Sequence, residues 1–298
     1  MLKSRAAEKS VPIKKQLPAA VATDAAKTKS SIDRLRFISF GSGSSGNACY
    51  IGNLLQGIII DAGVSPRALK KGMAGAGVSL HSVLGVFVTH DHIDHVCYAG
   101  AYAEKLGLPV FSTHEVHQGI EFHRLMKIKV GASKRSICKG EPFGIGPFEV
   151  TAFDVPHDGS DNVGYMVKYR HKTFVIATDL GHIGPNVAAY LTQANYLVLE
   201  ANYEEAMLEG GPYPRSLKER IRHDEGHLSN HAAATFVSEH HHPNLSHLFL
   251  CHLSQENNHP DLALKTVSQA LAVKGVRAGV DIEIHCLPRK KPSDCYLL

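Results

Sequence analysis

From Arg34 onward the chain alternates short apolar runs with polar, glycine-punctuated turns, whereas residues 1–33 carry no sustained apolar period and no aromatic side chain. The β-rich runs Leu35–Phe40, Ala48–Gly52 and Gly57–Asp61 predict three strands with tight turns between them. Ser65–Gly75, with Pro66 in its first turn, predicts a helix. Leu84–His90 predicts a buried strand, Asp94–Leu106 a helix ended by Gly107, and Pro109–Thr113 another strand. Three alternating segments follow at Pro147–Val155, Val163–Tyr169 and Lys172–Asp179. The last part mixes strands (Tyr196–Glu200, His247–His252, Asp281–Leu287) with helices (Asn230–His240, Pro260–Lys274). Two batches of strands among helices predict an α/β (α+β) fold in which two mixed sheets are sandwiched between helices. No linker divides residues 34–298, which read as one domain behind a disordered basic tail at 1–33.

Composition narrows the class. A chain of 298 residues with 44% hydrophobic content can bury a sizeable core without disulfide or metal support. No apolar run is long enough for a membrane-spanning helix. The six cysteines lack CxxC spacing and read as reduced thiols of a cytosol-like compartment. Seven Lys/Arg stand against three acids in residues 1–33, which accounts for the whole formal charge of +4 and leaves the body neutral. Bulk charge therefore argues little for a nucleic-acid partner. The tail has no apolar core of a secretory signal; its basic, Ser/Ala-containing make-up leaves organellar import open beside a cytoplasmic location.

The unusual count is 20 histidines, which raises the prospect of a metal site. The strongest local signal is Thr89–His95, reading THDHIDH. His90 and His92 lie two apart in a loop between a strand and a helix and can converge on one ion, while Asp94 and His95 serve a neighbour. Neutral imidazoles beside a hard carboxylate are what a divalent ion needs to replace its water shell and offset its charge. Gly41–Asn47, a loop of glycines and small hydroxyls after the first strand, is a weak signal by itself: a phosphate cradle or a plain turn. His240–His242, the spaced His114, His117 and His123, the core-like Cys97, and the basic Arg289-Lys290-Lys291 are set aside as carrying no site.

The motif His90-Asp91-His92-Ile93-Asp94-His95 resembles the centre of the metallo-β-lactamase superfamily, and the flanking motifs stand in order at strand ends: Asp61 in IIIDAG, His157 in VPHD, Asp179 in ATDLG and His252 in LFLCHLSQENN. The resemblance runs from about residue 35 to 287. The segments GSGSSGN, HDGSDNVGY, GHLSN and HLSQENN are similar to the YycJ/WalJ-type members, which look like exonucleases acting on DNA. Glu200 in LVLEANYEE and His227 in GHLSN show kinship with ribonuclease Z.

The resemblance implies a pair of divalent ions about 3.5–4 Å apart. Zinc suits the histidines best, with manganese or iron also compatible. His90, His92 and His157 would hold one ion and Asp94, His95 and His252 the other, with Asp179 bridging and Asp61 orienting an imidazole. It further implies attack by a hydroxide shared between the ions, with His227, kept protonated by Glu200, as acid for the leaving oxygen. Asp94, His227, Glu200 and Asp61 are thus the expected catalytic set. Ser44, Ser45, Asn47, Ser229, Asn230, Asn257 and Asn258 are expected to contact substrate. The implied reaction is phosphodiester cleavage in nucleic acid, DNA before RNA. Hydrolysis of a small thioester, lactone or lactam by the same centre is the alternative. The 73 positions from Asp179 to His252 are too few for the inserted β-CASP domain of many relatives, and His95 to His157 holds no protruding arm. Grip on a substrate is therefore left to the domain's own loops or to a second subunit of a homo-oligomer.

Overall fold

The computed structural model describes residues 32–298; the tail expected at 1–33 lies outside them except for Ile32 and Asp33. Those two are tied to the body, because Leu54 N donates to Ile32 O and Arg170 Nη2 pairs with Asp33 Oδ2 at 2.7 Å. Two seven-stranded mixed sheets stack face to face. The first has the order β14-β1-β2-β3-β4-β5-β6 and the second β13-β12-β11-β10-β9-β8-β7. Here β1 is Arg36–Gly41, β2 Ala48–Gly52, β3 Gly57–Ile60, β4 Val83–Phe87, β5 Val110–Ser112, β6 Lys134–Ser136 and β7 Pro142–Ile145. The remaining strands are β8 Phe148–Asp154, β9 Val163–Tyr169, β10 Lys172–Ala177, β11 Tyr196–Glu200, β12 His247–Cys251, β13 Glu283–Cys286 and β14 Tyr296–Leu297.

The period-2 alternation of the strands sorts their side chains into separate cores. Along β1, Phe37 faces the other sheet, while Ile38 and Phe40 face the helices. Phe37 sits 5.0 Å from Phe174 and 4.6 Å from Phe249, ring centre to ring centre, and so locks β1 onto β10 and β12 across the sandwich. Helices α1 (Pro66–Gly75), α2 (Ile93–Val96), α3 (Ala99–Leu106) and α4 (His114–Phe122) accompany the first sheet. Helices α5 (Pro185–Leu191), α8 (Asn230–His240) and α9 (Pro260–Val273) cover the second. Between them, α6 (Glu205–Gly210) and α7 (Arg215–Arg222) gather around a small satellite cluster of Tyr203, Leu208 and Ile221. The layers are the helix–sheet–sheet–helix order expected from the sequence.

Several boundaries differ from the expected ones. The single helix expected at Asp94–Leu106 is two, α2 and α3. To continue through Tyr98 a helix needs Asp94 O as acceptor, but Asn47 N donates to that carbonyl at 2.8 Å and Tyr98 N turns to Ala62 O at 2.9 Å. The strand expected to reach His90 stops at Phe87, since Thr89 N is taken by Asp61 Oδ1 at 2.8 Å. The spaced histidines of α4 belong to a helix capped by Thr113, whose hydroxyl accepts from Val116 N.

Direction decides where chemistry can sit. Strands β3 and β4 are parallel, as are β10, β11 and β12, and β8 runs with them because both it and β10 oppose β9. Their carboxyl ends open onto one edge of the sandwich, the usual place for a ligand in parallel sheets.

Candidate metal centre

That edge carries the polar residues one after another: Asp61 after β3, His90 to His95 after β4, His157 after β8, Asp179 after β10, Glu200 at the end of β11 and His252 after β12. Asp61, Asp179 and His252 hold left-handed backbone angles (φ 63°, 52° and 52°), which side chains other than glycine rarely adopt. Three such residues at neighbouring strand ends mark a place where the backbone is bent to aim side chains.

The side chains converge. Candidate ligand atoms of His90, His92 and His157 lie within 4.8 Å of one another, and so do those of Asp94, His95 and His252. His90, His95 and Asp179 form a third such group, which ties the first two together. His157 Nε2 is 3.3 Å from His92 Nδ1, and Asp179 Oδ2 is 3.2 Å from His95 Nε2.

The far nitrogen of three of these rings is held. His95 Nδ1 donates to Asp61 Oδ2 at 2.8 Å, and Asp61 in turn accepts from the amide and hydroxyl of Thr89. His90 Nδ1 sits 3.0 Å from Thr89 Oγ1, and His157 Nδ1 donates to Gly226 O at 2.9 Å. Asn47, buried, donates to Asp94 Oδ2 at 3.1 Å and accepts from Gly43 N at 2.7 Å. Close packing seals the arrangement: a Cβ on Gly63 would stand 1.7 Å from Asp94 O.

Electrostatics agree with a cation site. Burial and then the neighbouring His95 ring hold His90 well below the usual imidazole range, so it is a neutral donor. Burial disfavours an ionised Asp94, yet His95 and His252 outweigh it and bring the carboxyl to about 2. Asp179 is likewise pulled well down, against burial, by His252 and His95. The imidazoles of His95 and His252 are raised against burial, chiefly by Asp61 for the former and Asp179 for the latter. The buried carboxylates thus demand positive charge. His90 Nε2 and His252 Nε2 are buried with no hydrogen-bond partner. Orphaned imidazole nitrogens beside ionised carboxylates fit divalent cations.

One further pair sits at the rim. Glu200, fully buried, accepts from His227 Nδ1 at 2.8 Å and His252 Nδ1 at 3.0 Å through Oε1, and from Leu180 N and Leu228 N through Oε2. His227 is raised because Glu200 overcomes its burial, and it lies 3.7 Å from Asp179 Oδ1.

The residues expected to contact substrate divide. Ser44 and Ser45 are exposed at the tip of the glycine loop. Asn47, Ser229, Asn230, Asn257 and Asn258 are buried and bonded within the protein, apart from Asn257 Oδ1, which has no partner. Ser229 caps α8 by accepting from Ala232 N, and Asn230 and Asn258 exchange amide bonds at 2.9 Å. Asn258 also donates to Ala201 O and Asn202 O, and Asn257 Nδ2 reaches Ser254 Oγ at 3.4 Å. Sequence reasoning missed Thr89, the hydroxyl that joins Asp61 to His90, although it opens the THDHIDH run. It also missed Ser42, whose hydroxyl accepts from His252 N at 2.9 Å, and Asn202, which donates to His252 O at 2.8 Å. Ser42 lies in GSGSSGN and Asn202 in LVLEANYEE, but nothing in either segment separates them from their neighbours.

The four-layer sandwich and its histidine–carboxylate edge define a metallo-β-lactamase-type hydrolase. The family described as "Beta-lactamase superfamily domain" matches residues 56–252. The chain is 33% identical over 259 residues to "Exodeoxyribonuclease YycJ" of Bacillus anthracis, covering 87% of this chain and 97% of that one. It is 30% identical over 245 residues to "Exodeoxyribonuclease WalJ" of Streptococcus pneumoniae, covering 82% and 91%. The metallo-beta-lactamase fold protein YhfI from Bacillus subtilis shares the fold, with a TM-score of 0.62 at 16% identity over 87% of this chain and 99% of that one. The chain belongs to the β-lactamase superfamily and is a metal-dependent hydrolase. No helix among the described residues is long and apolar enough to cross a membrane.

Proposed function

We propose that the protein is a dinuclear metal-dependent phosphodiesterase that cleaves DNA from an end, as the names of its YycJ and WalJ relatives suggest. His90, His92 and His157 would hold one divalent ion and Asp94, His95 and His252 a second, with Asp179 within reach of either; zinc would suit this donor set best, with manganese or iron compatible. Bound there, such ions would supply Lewis acidity toward water and the phosphoryl oxygens.

The chain's own residues do the rest. Asp61 fixes the tautomer of His95, leaving its Nε2 lone pair toward Asp94 and Asp179, with Asn47 Nδ2 2.8 Å away. Glu200 keeps a proton on His227, placing an imidazolium at the rim of the site. From there His227 donates to the departing 3′-oxygen, a role worth roughly 10²–10⁴ in rate. That Glu200–His227 pair is the observation that carries the nuclease reading, because acyl hydrolysis with a good leaving group gains little from an added acid. Digestion of end-labelled single- and double-stranded DNA with zinc, manganese or iron, by wild type and Asp94→Ala, tests it. Metal-dependent release of nucleotides, lost in the variant, is expected. Equal cleavage by both proteins rejects the site, and turnover of thioesters or lactones alone replaces the substrate class.

A further inference from the structure

A cavity of about 740 Å³ opens beside the metal centre, between the glycine loop, α1 and the returning C-terminal segment. Its volume lies within the roughly 300–1,000 Å³ of pockets that enclose small ligands, the scale of a short piece of one strand. Apolar surface comes from Phe40, Val64 and Pro292, and Tyr98, which is 36% exposed, offers a ring. The charged groups on its wall are Lys71, Arg289 and Lys290 against a single carboxylate, Asp294. A cationic wall around a ring on the surface of a domain with no excess charge is the composition of a single-strand binding track.

Arg289 connects this cavity to the reacting centre. Its stem packs on the glycine loop, where a Cβ on Gly43 would stand 3.4 Å from its Cγ. Its Nη1 donates to Ser254 O at 2.7 Å, leaving its remaining donors for a ligand. Ser254 follows His252 by two residues and lines a second, smaller cavity together with Ser44, His157 and His227. The adjacent Ser45 lines the large one, so the loop tip stands as a ridge between the two. Ser44 faces the cavity of His157 and His227 and Ser45 the basic one, so a strand crossing the loop tip passes from one cavity to the other.

Resting on the phosphodiesterase reading, we propose that the large cavity is the track for the single-stranded DNA segment next to the scissile phosphate, with Arg289 and Lys71 clamping its backbone and Tyr98 stacking on a base. The basic Arg289-Lys290 pair, unremarkable in the sequence, thereby becomes part of substrate grip.

Fluorescence anisotropy with a labelled 12-nucleotide single strand of cleavage-resistant phosphorothioate linkages, on the metal-loaded protein, tests this apart from catalysis. Lys71→Ala combined with Arg289→Ala should weaken binding about a hundredfold, about tenfold for each charge-assisted contact. It should also reduce the slope of log affinity against log salt by about 1.4, or ~0.7 per lost phosphate contact. Tyr98→Ala should weaken binding with the slope unchanged, and Arg289→Lys should retain the slope. Because Lys71 is exposed, Lys71→Glu serves as a second variant that leaves the fold intact, with the thermal midpoint as control. No binding by wild type, or an affinity and salt slope in the folded variants equal to wild type, overturns the track. An equal loss for a blunt duplex overturns its assignment to a single strand. Absence of nuclease activity in the digestion assay would strike the function and leave this binding result standing.

Discussion

Replacing Asp61 by Asn keeps shape and the left-handed backbone, which Asn tolerates better than most residues, and changes only hydrogen-bond polarity. Asp61 accepts from Thr89 N at 2.8 Å, from Thr89 Oγ1 at 3.0 Å and from His95 Nδ1 at 2.8 Å. An amide offers one oxygen and one NH2. With its oxygen toward Thr89, the NH2 meets the His95 Nδ1 proton, donor against donor. Relief comes when the ring moves that proton to Nε2, the nitrogen 3.2 Å from Asp179 Oδ2 and 3.6 Å from Asp94 Oδ2. That consumes the lone pair a metal requires. Loss of such a supporting partner typically costs about 10–100-fold in metal affinity, or about 1.4–2.8 kcal/mol. Competition with a zinc chelator at fixed pH measures it. One of the two zinc equivalents should weaken by this factor while the other stays nearly unchanged. Affinities of both equivalents within twofold of wild type would refute the claim that Asp61 sets the tautomer of His95.

Other consequences are as direct. Gly63→Ala places a methyl 1.7 Å from a backbone oxygen that Asn47 already holds, so it should cost more than the about 1–3 kcal/mol of ordinary overpacking and lower the thermal midpoint. A midpoint equal to wild type would show that the loop yields freely. His227→Gln should slow DNA cleavage by roughly 10²–10⁴ yet spare bis(p-nitrophenyl) phosphate, whose leaving group needs no proton; equal losses on both would remove the acid role. Among the thiols, exposed Cys138 should react with iodoacetamide first, whereas burial pushes Cys49 and Cys251 upward and should keep them unlabelled in the folded protein. Peptide mapping showing Cys251 modified as fast as Cys138 would contradict that burial.

Much of this site was legible along the chain because a metal centre built on strand ends writes itself locally. Each of Asp61, Asp179 and His252 closes an apolar run, and the THDHIDH cluster is contiguous, so neither depended on knowing the long-range pairing. The sandwich was legible for a similar reason: β1, β2 and β3 are short apolar runs separated by glycine-containing turns, and both faces of each are buried. What stayed hidden depended on remote partners. Asn47, Asn230 and Asn258 look like substrate contacts in sequence, since an amide that braces a backbone and one that grips a ligand have the same composition. Only burial and the bonds to Asp94, Ala201 and Asn202 separate the two roles. The break between α2 and α3 arises because Asn47 N captures Asp94 O from 47 residues away. Arg289 carries no site signal along the chain, yet β14 pairs with β1 and carries the C-terminal segment back to the glycine loop.

The central claim is most directly tested by anomalous X-ray diffraction from crystals of the metal-loaded protein, collected on both sides of the zinc edge. The account predicts two peaks per chain, one among His90, His92 and His157 and one among Asp94, His95 and His252, with the Asp179 carboxylate between them. A single peak, or peaks bound elsewhere while these seven side chains remain unliganded, would contradict it.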